Sequence, residues 1–135
     1  MLLVSTLAAT ASPAQDFSAG LPEDQIVRDL RDLPVQHDGR AMPLDTLARE
    51  ATWKVTGDRR WQGIDPVALV LGWSFNPEFW SQQPLVKMDS RVLAAETNLT
   101  APSGFVSFAA VAKNQSVLGL MQEARQRSQR EEPLG

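Results

Sequence analysis

A single histidine and a complete lack of cysteine bound the chemistry open to this chain. Without cysteine there is no disulfide, thiolate nucleophile, zinc–cysteine centre or Cys-x-x-Cys-His haem attachment site. With His37 alone, neither a histidine metal cluster nor a two-histidine haem clamp can be built within one copy. His37 directly precedes Asp38-Gly39, which puts it at an exposed hairpin tip as a turn residue. Haem-iron ligation and a general-base role at His37 are the alternatives. The acidic pairs Glu23/Asp24, Asp29/Asp32 and Glu131/Glu132 lie in charged segments with nothing apolar to raise a carboxyl pKa, which argues against a glycosidase-type pair. Gly57, Gly63, Gly72 and Gly119 stand isolated and form no phosphate-cradling loop. No catalytic, cofactor-binding or metal-binding residue is expected.

Recognition has better candidates. Arg40 follows the turn and precedes Met42-Pro43. Its guanidinium would either brace the hairpin on the next helix, through a carboxylate such as Asp45, or hold an external carboxylate. Trp53 falls opposite Leu44 at about 100° per residue, beside Arg49 and Thr46. A tryptophan on the polar side of a helix needs a second surface, either in this domain or on a partner or membrane. Arg40, Arg49 and Trp53 therefore make up the candidate partner surface. Of the four tryptophans, most read as core rather than as a cofactor platform.

The elements that must position these groups are short. Leu21-Pro22-Glu23-Asp24 opens a helix carrying Ile26, Val27 and Leu30, with Arg28, Asp29, Arg31 and Asp32 on its solvated side. Pro34 stops it. Leu33 to Gln36 and Arg40 to Met42 are predicted arms of a hairpin around Asp38-Gly39, because a type I′ turn needs positive φ at both central positions. So short a hairpin must lie on a helix. Pro43 starts that helix, with Leu44, Leu47, Ala48, Ala51 and Val55 as its stripe, Glu50–Lys54 as an i,i+4 pair and Gly57 as its stop.

Asp65-Pro66 caps a helix that is apolar all round and hence central. Asn76-Pro77-Glu78 repeats that grammar, Leu85 to Met88 is extended, and Asp89 or Ser90 caps a further helix. Pro102-Ser103-Gly104 is a turn and Phe105 to Phe108 a short extended run. Val117, Leu120, Met121 and Ala124 form a last stripe, which disappears from Arg125 onward, so that end is expected to fray or to pack on something further along. The predicted fold is mainly α: four to five short helices with one small β-hairpin in a single compact domain.

With 135 residues, 43% hydrophobic and 21% charged, the chain can hold one modest core. A net charge of −3 offers no basic field for nucleic acid. Met1 to Ala11 is an apolar run too short to span a bilayer, with cleavage-like sites at Ala9-Thr10-Ala11 and Ser12-Pro13-Ala14. Residues 1–20 are expected to be a clipped signal peptide or membrane-span tail plus linker, 21–125 the helical domain, and 126–135 a frayed extension of a fragment.

The run Leu33 to Gly57 (LPVQHDGRAMPLDTLAREATWKVTG) resembles a segment of system II cytochrome c biogenesis proteins of the ResB/CcsA type. Asp65 to Trp80 (DPVALVLGWSFNPEFW), Pro84-Leu85-Val86-Lys87 and Val106-Ser107-Phe108 are similar in order and spacing, so the likeness covers roughly residues 25–125. That family carries haem out of the cell and joins it to apocytochrome c. It does so with a Trp-Trp-Asp type loop and with histidines near or within membrane helices. This chain has neither a Trp-Trp pair nor a membrane helix, so no haem ligand and no catalytic residue carry over. What the resemblance implies is a non-catalytic docking or scaffolding domain on the periplasmic side of the bacterial inner membrane. Haem would be handled by the parent protein, not bound by this chain. Partners would be the membrane portion of that protein or a sister subunit, and apocytochrome c. Two rivals stand beside it: a free periplasmic protein-binding module using Trp53 and Arg49, and a small carboxylate-dependent hydrolase.

Overall fold

The computed structural model describes residues 16–101 and 103–131. The expected leader and cleavage sites, Pro102 and residues 132–135, with Glu132 of the Glu131/Glu132 pair, lie outside what it describes. Among the described residues there are seven helices and two antiparallel strand pairs, a mainly helical domain as the sequence predicts. The helix count exceeds the expected four to five, and the second strand pair is new.

A 3-10 turn at Ser18–Gly20 leads into α1 (Asp24–Leu30). Strands β1 (Pro34–His37) and β2 (Arg40–Pro43) follow, with His37 facing Arg40 across the turn. Asp38 and Gly39 have φ of 49° and 73°, both positive as a type I′ turn requires. Helix α2 (Leu44–Thr56) runs straight out of the hairpin. The expected placement of Pro43 inside its first turn is off by one: Pro43 is the last residue of β2 and the cap position of α2. It offers no side-chain cap, so the opening amides look elsewhere. Leu44 N–H donates to Leu33 O at 2.8 Å and Asp45 N–H to Arg31 O at 3.0 Å. The chain entering the hairpin thereby caps the helix leaving it, and Val35 on β1 packs on the core below.

Leu44, Ala48, Thr52 and Thr56 are the buried residues of α2, while Leu47, Ala51 and Val55 are half-buried. The buried row is an i+4 ridge laid against α3 (Pro66–Phe75), so two threonines replace part of the expected aliphatic stripe. Thr56 donates its hydroxyl to Thr52 O at 2.7 Å. Gly57 ends the helix at φ 71°, as the sequence predicts. The expected Glu50–Lys54 pair does not form; Arg49 and Asp45 make the i,i+4 pair on this helix at 2.9 Å.

Asp65 caps α3 by accepting from Val67 N–H at 2.9 Å. With apolar residues all round, α3 feeds two cores. Val67, Ala68 and Leu71 join Val27, Leu44 and Ala48 in one. Leu69 joins Phe17, Trp61, Trp80 and Leu85 in the other. In the second, Trp61 and Trp80 meet edge-on at 6.1 Å, and Trp80 donates its indole N–H to Gly20 O at 2.7 Å. Gly72 lets these parts meet: a Cβ there would come within 2.7 Å of both Gly20 O and Trp80 Nε1.

Beyond α4 (Pro77–Ser81), strand β3 (Pro84–Lys87) pairs with β4 (Phe105–Ser107) across the intervening α5 (Arg91–Thr97). Ser90 caps α5 and Ser107 caps α6 (Phe108–Lys113). Asn114 ends α6 and starts α7 (Gln115–Glu131), accepting from Val117 N–H while donating to Thr97 O at 2.6 Å. Helix α7 continues unbroken to Glu131. Its stripe is half-buried at Val117, where α7 meets α5 and α6, and exposed at Leu120, Met121 and Ala124, with Met121 60% exposed. No described helix is long and apolar enough to cross a membrane.

Candidate functional site

The geometry around α2 is organised by a residue that the sequence reading left in solvent. Arg31, expected on the wet side of α1, lies just beyond that helix and clasps two others. Its Nη1 is 2.8 Å from Asp45 Oδ1 at the start of α2. Its Nη2 is 2.6 Å from Asp65 Oδ2 at the start of α3. Asp45 turns its second oxygen to Arg49 Nε at 2.9 Å. Arg31, Asp45 and Asp65 keep 31%, 21% and 26% of their side chains exposed, so the cluster is half-buried rather than dry.

Burial alone would raise the Asp65 carboxyl. The Arg31 guanidinium and the Val67 N–H outweigh it and hold that carboxyl below the usual range. The hydrogen bond to Asp65, with further help from Asp45, raises Arg31 above its ordinary value. A signal for this clasp did exist. Two aspartates sit at helix starts, where a carboxylate is favoured by the amide ends, and Arg31 falls at the end of α1 just ahead of Pro34.

This arrangement corrects the expected role of Arg40. Asp45 is taken by Arg31 and Arg49, and Arg40 is exposed with no ion pair among the described residues. The chain entering the hairpin is joined to α2 by two backbone amides and by the Arg31 guanidinium, with no part for Arg40. Of the three candidates for a partner surface, the structure brings two together. Arg49 and Trp53 share a shallow depression of about 340 Å³ with Glu50 and Arg59. Arg59, from the loop after α2, was missed because nothing local in the sequence says where that loop folds. Trp53 is 59% exposed, so the alternative in which another part of this domain covers it does not hold among the described residues. The depression combines a flat apolar ring with the Arg59 guanidinium, the Asp45-paired Arg49 and the Glu50 carboxylate, a mixed lining suited to an apolar or aromatic group flanked by polar ones.

His37 stands at the ribbon tip with Nε2 3.3 Å from its neighbour Asp38 Oδ2. It lines neither this depression nor the groove beside α3 and the β3–β4 ribbon. Among the described residues no three His, Cys, Asp or Glu side chains gather as a metal site.

No protein-family model matches this chain. Over 100 residues, 69% of its length, it is 32% identical to Protein NrfI of Wolinella succinogenes. The chain spans only about 11% of that relative's length. The similarity therefore concerns one segment of a much longer protein.

Proposed function

We propose that this chain is a non-catalytic domain of a cytochrome c biogenesis protein, in which it docks or scaffolds and performs no chemistry. The observation that carries this is the 32% identity to Protein NrfI over 100 residues, which supports a part in cytochrome c biogenesis. The resemblance of Leu33–Gly57 to the ResB/CcsA type points the same way. In this reading the domain faces the periplasm. Haem passes through the rest of the parent protein, and this domain binds no cofactor. The contact surface is the face with Trp53, Arg49 and Arg59, open toward a membrane-embedded portion, a sister subunit or apocytochrome c.

The reading is supported by how that face is held. Trp53 and Arg49 ride on a helix that is fixed at its start by Arg31 and along its length by α3. A pre-set surface loses less conformational entropy on docking than a mobile one. The test is chromosomal. Excising residues 24–131 in frame, and separately substituting Trp53→Ala with Arg59→Glu, should lower c-type cytochromes on haem-stained gels several-fold, while the parent protein persists on immunoblots. Unchanged cytochrome content after the excision refutes the function. A loss on excision but not in the double variant refutes the surface.

A further inference from the structure

A larger concave surface lies apart from the Trp53 depression. It is an open groove of about 470 Å³ between the end of α2, helices α3 and α4, and the β3–β4 ribbon. Small-molecule sites occupy roughly 300–1,000 Å³. Its walls are apolar, built mainly from Val55, Trp73, Trp80, Leu85, Val86 and Phe108. Its charged lining residues are Lys54 and Lys87, and no carboxylate lines it. In a chain of net charge −3 this is a local reversal of sign.

Both lysines belong to one end of the groove. Lys54 lies in the last turn of α2. The Lys87 stem crosses Gly57, the left-handed cap of the same helix, so closely that a Cβ there would lie 3.1 Å from Nζ. The carbonyl end of α2 favours cations at this point. Lys87 has Asp89 at 3.3 Å, whereas Lys54 enters no ion pair among the described residues. Phe108 at the start of α6 is 60% exposed, and the Trp73 indole N–H is buried without an acceptor.

We propose that this groove binds a single-chain amphipathic carboxylate, with its anionic head at Lys54 and Lys87 and its alkyl chain along Trp73 and Phe108. The charge pattern selects the class: an apolar trough with cations at one end complements a molecule that is apolar with an anion at one end.

The test uses the full chain and sodium laurate below its micelle concentration, read by the tryptophan indole N–H resonances. The Trp73 resonance should move saturably and that of Trp53 should stay. Dodecyltrimethylammonium should leave Trp73 unmoved. Replacing both lysines (Lys54→Gln with Lys87→Gln) should weaken laurate binding about tenfold or more, since two charge-assisted contacts are lost. Phe108→Ala, at an exposed position that spares the core, should weaken it as well. Equal shifts with the cationic amphiphile, a shift that never saturates, or an affinity indifferent to the lysine pair would each overturn the assignment. So would binding of an acidic peptide with none of laurate.

Discussion

Asp65 carries two separable jobs, and separating them gives the sharpest check on the structure. One oxygen caps α3 by accepting from Val67 N–H at 2.9 Å, and the other accepts from Arg31 Nη2 at 2.6 Å. Asn is as good a cap as Asp, so Asp65→Asn removes the ion pair and keeps the cap. A hydrogen bond to a charged group contributes roughly 1.5–3 kcal/mol when well buried. Asp65 and Arg31 are 26% and 31% exposed, so water screens part of this and about 1–1.5 kcal/mol is expected. Asp65→Ala should lose about 1 kcal/mol more with the cap. For a domain of this size each kcal/mol moves Tm by about 3–4 °C.

The pH dependence gives a second reading of the same pair. The Asp65 carboxyl is held below its ordinary value in the folded state. Its stabilisation is therefore complete above the unfolded-state pKa and disappears as pH falls through the lower folded-state value. Arg31 is raised, so it stays protonated across the working range and contributes no slope of its own. Urea unfolding followed by the fluorescence of buried Trp61 and Trp80, from neutral pH down to about pH 3, measures both effects. Asp65→Asn should flatten the acid limb as well as lower the neutral-pH stability. Asp65→Asn at wild-type stability, or an unchanged acid limb, refutes the clasp.

Further outcomes follow from single sites. Gly72→Ala should cost about 1–3 kcal/mol in thermal unfolding, because its Cβ would strike Gly20 O and Trp80 Nε1 at 2.7 Å; an unchanged melt would refute the close approach. Thr52 buries a hydroxyl that has no partner, so Thr52→Val should be neutral or slightly stabilising. Thr56→Val should instead lose about 1 kcal/mol, since that hydroxyl donates to Thr52 O and accepts from Asp58 N–H. Haemin titrated into the chain should give no Soret band of an imidazole complex, and His37→Ala should leave the spectrum as it is; a band lost in that variant would restore His37 as a ligand.

What the sequence made legible was local. The Asp38-Gly39 turn, the Asp65-Pro66 and Ser90 starts and the Gly57 stop each depend on φ, on a missing N–H or on a side-chain acceptor within a few residues. The central place of α3 followed from its apolar perimeter. What was not legible was distant. The β3–β4 pair joins Pro84–Lys87 to Phe105–Ser107 across a whole helix, and neither strand is long enough to show a period. Arg31 looked like one more charge on a wet helix face, because its two carboxylates lie fourteen and thirty-four positions ahead. The same distance misled the reading of Arg40, which has Asp45 nearer in sequence but not in space. Trp53 was placed on the correct face of α2, but whether anything covered it depended on how the loop carrying Arg59 folds back.

Two corrections exchange places: Arg31 moves from an assumed solvated face into the joint between α1, α2 and α3, and Arg40 moves from an expected brace out to solvent. In a chain this small the aliphatic residues are spent on two separate cores that meet at α3. Helix α1 and the hairpin reach one of them through Val27, Leu30 and Val35. Their orientation is set further by directional groups: Arg31 to Asp45 and Asp65, and Leu33 O to the Leu44 amide, while Gly20 O to the Trp80 indole ties the turn before α1 to the second core. Such contacts are individually modest but demand one geometry, whereas apolar packing tolerates several. A domain held this way keeps Trp53 and Arg49 in a fixed relation on α2 without burying them, as the proposed docking face requires.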